Sequence, residues 1–301
     1  MKQRVFSSAG LAVLAGISFV TQALAVVNIA WVPVGNAGNA PDTATGSLYG
    51  AVGYAYNIGK YEVTNSQYAE FLNAKGGSNS YGIYNASMAG YGITRSGSAG
   101  SYNYGLTSGL ENRPVVYVSW FDAARFTNWL GNGQGGGDTE TGAYTLISGQ
   151  TTGIVTVNPG AQIYIPSENE WYKAAYYNGG TSTYSLYPNG QNTITTADAN
   201  YASGGSTNVG SYSGDPSSYG TFDQGGNVYE WNDAVISGSY RGLRGGSWSD
   251  AGSYLRSSGR GNGSPSSEYG LVGFRVASVP EPTSVVLAMV ASGMLLVRRK
   301  R

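Results

Sequence analysis

Gly225-Gly226-Asn227-Val228-Tyr229-Glu230-Trp231 puts a glycine pair, an amide, two aromatics and a carboxylate into seven residues. Paired glycines let a backbone pass close to other groups or take positive φ. The tyrosine and tryptophan supply large buried area with a polar end. The combination predicts a tight, packed loop, although composition alone equally describes a glycine-rich turn between strands. Two later stretches repeat the chemistry: Leu243-Arg244-Gly245-Gly246-Ser247-Trp248 and Gly273-Phe274-Arg275-Val276.

The surrounding chain has 301 residues and a formal net charge of zero, so no electrostatic footprint for nucleic acid is visible. Charged residues make up only 11%, whereas Gly (47) and Tyr (25) abound. That balance suits a loop-rich surface that makes contacts through aromatic and amide groups. Cysteine and histidine are both absent. Thiol nucleophiles, disulfides, imidazole bases and the usual zinc or copper ligands are thereby excluded. Carboxylates, amides, hydroxyls and carbonyls remain, and these are ligands for hard cations.

Both ends read as targeting segments. Lys2 and Arg4 precede the apolar run Leu11 to Val20, and Ala23-Leu24-Ala25 gives an A-x-A cleavage pattern. Residues 1–25 are therefore expected to be a secretory signal peptide. At the other end, Val279-Pro280-Glu281-Pro282 leads into an apolar run to Val297 and then Arg298-Arg299-Lys300-Arg301. Residues 279–301 resemble the PEP-CTERM sorting signal of Gram-negative bacteria. That resemblance implies a short transmembrane helix, an exosortase as partner, and an exported protein whose membrane contact runs only through this tail. A plain tail anchor is the simpler alternative.

Between the ends, Ala30 to Gly35 and Tyr54 to Val63 read as strands. Thr64 with Gln67, Ser119 with Asp122, and Ser167 with Glu170 form three capping boxes, each opening a short helix. The inward faces are expected to carry Tyr68, Phe71 and Leu72; then Phe126, Trp129 and Leu130; then Trp171, Ala174 and Ala175. Tyr144 to Val157 reads as a β-hairpin around Ser148-Gly149. Lys75 to Asn112 has no helical period and is either a disordered surface loop or a functional insertion, its tyrosines favouring partial packing. Short strands, brief helices and long loops imply one mixed α+β domain over residues 26–278.

Taken in order, Gly59-Lys60-Tyr61-Glu62-Val63-Thr64-Asn65, Arg113 to Trp120, Ile165 to Trp171 and the three glycine-bearing blocks resemble the formylglycine-generating enzyme, or sulfatase-modifying factor, family. The resemblance spans about Val27 to Ala277. It implies a C-type lectin-like fold low in regular secondary structure. The family holds oxidative enzymes, among them the sulfoxide-forming domain of ergothioneine biosynthesis, and also non-catalytic binding proteins. Members that make formylglycine use two copper-binding cysteines just after the Arg-Gly-Gly-Ser block. Here Trp248 to Arg256 has neither, and thiolate is the soft ligand that selects Cu(I). No copper is expected, and Ser247 is left without a base or metal to activate it.

The resemblance also implies structural calcium. One site matches Asp223, the carbonyls of Gly226 and Val228, and Glu230; a second begins at Asn200 with the Tyr201 carbonyl. Tyr229, Ser247 and Trp248 are expected to line the cleft in which relatives hold substrate, or else to serve as plain core aromatics and a core hydroxyl. The functional expectation is an exported, non-catalytic domain binding a protein or polysaccharide at the cell surface or in an exopolysaccharide matrix. The alternative is an oxidative enzyme working without the cysteine pair, which would need a carboxylate pair with shifted pKa in a cleft.

Overall fold

Each of the three capping boxes is closed in the structure, a computed structural model that describes residues 26–279. The signal-peptide reading and the sorting tail from Pro280 onward lie outside those residues. Thr64 caps α1 (Asn65–Lys75), Ser119 caps α2 (Trp120–Gly131) and Ser167 caps α3 (Glu168–Tyr176), with Gln67, Asp122 and Glu170 returning the bond to the cap N–H. Two of the first-turn donors are satisfied at each start, which fixes where these short helices begin.

The expected apolar faces are buried, but α2 and α3 are covered on their polar sides too. Phe126 stands 5.4 Å from Phe274 and 5.6 Å from Phe71, ring to ring, and Phe71 stands 5.3 Å from Trp129. These rings seat α1 and α2 on the strand that ends the glycine-bearing core. The polar side of α2 is wrapped by residues 138–158. Asn128 donates to Thr139 O and Tyr144 O, and Arg125 pairs with Glu140 and donates to Gln150 O.

That wrapping corrects the predicted hairpin over Tyr144 to Val157, which contains no strand. Its backbone is held instead by side chains of α2 and by a turn in which Ile147 N–H donates to Gln150 Oε1 and Gln150 N–H to Ile147 O. Ile147 (77% exposed) and Ile154 (58%) point into solvent, so the alternating pattern buried no sheet face.

Two small sheets carry the rest. The first orders β1 (Trp31–Val34), β2 (Tyr56–Gly59), β12 (Ala277–Ser278) and β5 (Ile163–Tyr164), all antiparallel. The second orders β10 (Gly261–Gly263), β9 (Arg241–Arg244), β8 (Tyr229–Val235) and β11 (Val272–Phe274), with β11 parallel to β8. Two-stranded ribbons, β3 (Ile93–Ser96) with β4 (Asn103–Leu106) and β6 (Tyr177–Asn178) with β7 (Thr183–Tyr184), complete the mixed α+β architecture. The 75–112 insertion is packed rather than loose: Tyr84, Met88, Ile93 and Tyr104 join the main core, and Arg95 sits over the rings of Tyr84 and Tyr102.

The α2 cap predicts a pH signature. Burial pushes Asp122 up to about 7, a rise that its Ser119 bonds and Arg125 oppose and Glu268 strengthens. A carboxyl whose folded pKa exceeds its unfolded value of about 4 holds its proton better when folded, so stability is lost as pH rises through that window. The melting temperature is expected to decline between about pH 4 and 7, and Asp122→Asn to flatten the decline. Parallel pH profiles for the two proteins would remove Asp122 as its source.

Candidate functional site: a buried carboxylate–guanidinium core beneath a closed cleft

The opening loop folds as tightly as its glycines suggest. Gly226 has φ +86°, and a Cβ there would fall 2.3 Å from Asn200 O. Asn227, at φ 57°, tolerates the left-handed region that few other residues do. Its N–H donates to Asn200 O and its amide to Glu62 Oε1, while Trp248 N–H returns to Asn227 O. The loop thereby ties together β2's exit, the Asn200 turn and the block after β9.

Glu230, on β8, is fully buried and pairs with fully buried Arg275. Arg275 Nε donates to Glu230 Oε2 at 2.6 Å and Nη2 to Oε1 at 2.7 Å, a bidentate fork. The remaining guanidinium donors reach Gly59 O, Lys60 O and Phe222 O. Trp171 Nε1, from α3, donates to Glu230 Oε2 at 2.7 Å. The sequence reading placed Glu230 as a metal ligand and missed this pair; the Gly-Phe-Arg block was the signal that could have found it.

Two more carboxylates stand close by. Burial, then the charges of Asp223 and Glu230, drive the Glu62 carboxyl well above its ordinary range. Asp223 accepts the Gly210 N–H at 2.6 Å, and burial pushes it up to about 6. Glu62 Oε2 is buried with no partner. Three carboxylates thus face one guanidinium, and one oxygen is orphaned. Asp223, Glu230 and two loop carbonyls fit a hard, oxygen-seeking cation in donor type and in charge. Among the described residues no three His, Cys, Asp or Glu side chains are grouped as ligands, so carbonyls and water would have to complete the shell.

The second expected set lies at a turn. Asn200 donates to Gly205 O and Asn227 Oδ1 and accepts from Ser203 Oγ, so its amide staples a turn. The Tyr201 ring packs against the cluster of Tyr187, Ala199 and Leu255.

Of the three expected cleft residues, Ser247 is buried and the other two are partly exposed. Ser247 is buried, and its N–H and hydroxyl both donate to Asp250 Oδ2. Trp248 is partly buried with Nε1 unpartnered. Tyr229 is partly exposed, and burial pushes its hydroxyl up to about 12, helped by Asp250 and Tyr254. In the stretch without cysteines, Leu255 is fully buried against Tyr187 and Ala199.

Sparse helices, small irregular sheets and this glycine-bearing core define a lectin-like α+β module of the sulfatase-modifying type. Residues 30–279 match the sulfatase-modifying factor enzyme 1-like domain, and the chain belongs to that family. It is similar to hercynine oxygenase of Mycobacterium tuberculosis, 26% identical over 255 residues, covering 74% of this chain and 52% of that protein. It is also similar to the serine/threonine-protein kinase pkn1 of Chlamydia caviae, 28% identical over 191 residues, covering 57% of this chain and 25% of the kinase. The chain therefore spans about a quarter to a half of these curated relatives. Among solved structures, Treponema denticola variable protein 1 aligns with a TM-score of 0.57 at 23% identity, covering 86% of this chain and 98% of that one. CarF aligns at 0.59 and 22% identity, covering 84% and 99%. These two likenesses show the shared fold.

Removing one member of the central pair strands the other. Arg275→Met is expected to cost about 3–5 kcal/mol in denaturant unfolding, since Glu230 would remain buried without its counter-charge. A loss below about 1 kcal/mol would mean that the fold does not rest on this pair.

Proposed function

We propose that the chain is an exported, non-catalytic member of its family that binds a protein or polysaccharide at the cell surface or in an exopolysaccharide matrix. The observation that carries this reading is the stretch after Ser247. Where oxidative relatives are expected to hold copper through cysteines, this chain has Asp250 folded back on Ser247 and Leu255 plugged into a hydrophobic cluster. Ser247 is buried, and both its hydroxyl and its N–H are tied to the Asp250 carboxylate in a local turn. Partly exposed tyrosines around that stretch, Tyr229 and Tyr254, favour contact over chemistry. Export and tail sorting through an exosortase rest on the sequence patterns of the two ends.

The second reading, an enzyme working without the cysteine pair, is supported by one observation. Glu170 lines a cavity together with Asp233, and burial pushes Asp233 up to about 7. Glu170, however, spends its oxygens on Ser167 N–H and on two tyrosine hydroxyls. It serves as a helix cap. A sulfatase-type cysteine peptide is accordingly expected to give no aldehyde, with or without copper, while the protein binds the native exopolysaccharide or a secreted partner saturably. Aldehyde formed above background would overturn the non-catalytic reading.

Calcium belongs to this proposal as a structural element. It would be held by Asp223, the Gly226 and Val228 carbonyls, and Glu230 through the oxygen that carries a single Arg275 bond. It would balance the carboxylate excess around Glu62. Metal bound only to the folded state stabilises it by roughly 2.7 kcal/mol at a hundredfold excess over Kd. The melting temperature should therefore rise with calcium and fall with chelator, and Asp223→Ala should blunt the response. Identical melts of stringently metal-free and calcium-loaded protein would leave Arg275 as the site's whole counter-charge.

A further inference from the structure

A cavity of about 380 Å³ lies apart from Tyr229, Ser247 and Trp248, none of which lines it. Its volume is within the rough 300–1,000 Å³ range of small-molecule sites. Val157, Pro159 and Ile165 form apolar wall, and the polar floor is Tyr54, Tyr164, Glu170 and Asp233.

The floor offers acceptors and almost no donors. Tyr164 Oη donates to Glu170 Oε1 at 2.7 Å and Tyr54 Oη to the same oxygen at 3.1 Å, so both phenol hydrogens are spent. Asn158, on the rim, spends its amide hydrogens on Gly142 O and Thr145 Oγ1, which leaves its carbonyl oxygen. Among the described side chains that line it, only the Ser167 hydroxyl has a hydrogen not committed to a named partner.

Charge points the same way. Glu170 is buried, and among the described residues it takes part in no ion pair. Asp233 is paired with Arg241, whose Nη1 donates to Asp233 and Nη2 to Val155 O, while Nε is buried without a partner and the guanidinium lies 3.7 Å from the Trp120 ring centre. The two carboxylates thus outnumber the one guanidinium. Burial raises Asp233 and Glu170 adds to that rise, against Arg241 and the Tyr144 hydroxyl, as expected of an electronegative enclosure. Two tyrosine rings beside it suit a cation as well.

We propose that this cavity binds a primary ammonium group on a short apolar stem. Its N–H donors would meet Asp233 and the lone pairs of the Tyr54 and Tyr164 oxygens, and its stem would lie along Val157, Pro159 and Ile165. An ammonium supplies the donors and the charge that the floor lacks, and partial enclosure strengthens the attraction relative to water. The same chemistry is presented by a free alkylamine and by a lysine side chain of a partner protein. The inference does not rest on the non-catalytic reading, which is carried by the stretch after Ser247 and not by this cavity.

The test is titration of the purified protein by NMR at about pH 8, where Asp233 is ionised. The probes are n-butylammonium, Nα-acetyl-lysine methylamide and the neutral 1-butanol, at constant ionic strength. Saturable binding of butylammonium, at least about tenfold tighter than butanol, is expected. Comparable binding of the lysine probe would identify a partner's side chain as the source; binding of butylammonium alone would identify a free amine. Asp233→Asn should weaken the ammonium about tenfold and leave butanol unchanged. Since that variant strips a counter-charge from buried Arg241, Tyr54→Leu serves as a second. Its ring is 50% exposed, so an unchanged melt with weaker ammonium binding is expected. Equal affinity for butanol and ammonium, binding of neither, or ammonium affinity unaltered in both variants would overturn the proposal.

Discussion

The bidentate pair of Glu230 with Arg275 is the interaction on which the rest of the structure depends. Both residues are fully buried, and the guanidinium also gathers carbonyls from β2's exit and from Phe222, while Trp171 brings α3 to the same carboxylate. Isolated pieces so short, most strands being two to four residues, have little stability of their own. A buried charge pair that must satisfy every donor tolerates few alternative arrangements, and here it selects how four separate segments meet.

Around that pair the molecule has more carboxylates than cations. Glu62 and Asp223 add negative charge next to Glu230, and Glu62 Oε2 has no partner. The cavity floored by Glu170 and Asp233 repeats the imbalance on another part of the surface. Charged residues are few in this chain, so local imbalance of this kind is not averaged away by neighbours. Both places are therefore where cationic chemistry, inorganic or organic, has the most to gain.

The stretch that follows β9 packs as a turn and then as core. The Arg-Gly-Gly-Ser turn is kept, with Arg244 bound to Glu168 and to two carbonyls. The residues that follow pack as core and turn. Leu255, buried with Tyr187 and Ala199 and with Tyr201 packed against them, contributes apolar packing there.

The sequence by itself determined the helix starts, the glycine-dependent loop and the family. Capping boxes and positive-φ glycines are local devices, readable within four residues, and the order of blocks is a one-dimensional fact. It also excluded thiol and imidazole chemistry outright. Only the tertiary structure decided that residues 144–157 wrap α2 instead of pairing as a hairpin, because Asn128 and Arg125 claim that backbone from outside the segment. It also decided that Glu230 faces Arg275, 45 residues away, and that Glu170 and Asp233 share one cavity. Those are contacts between distant segments, and a charge in a linear sequence carries no mark of which buried partner or which cavity it will meet.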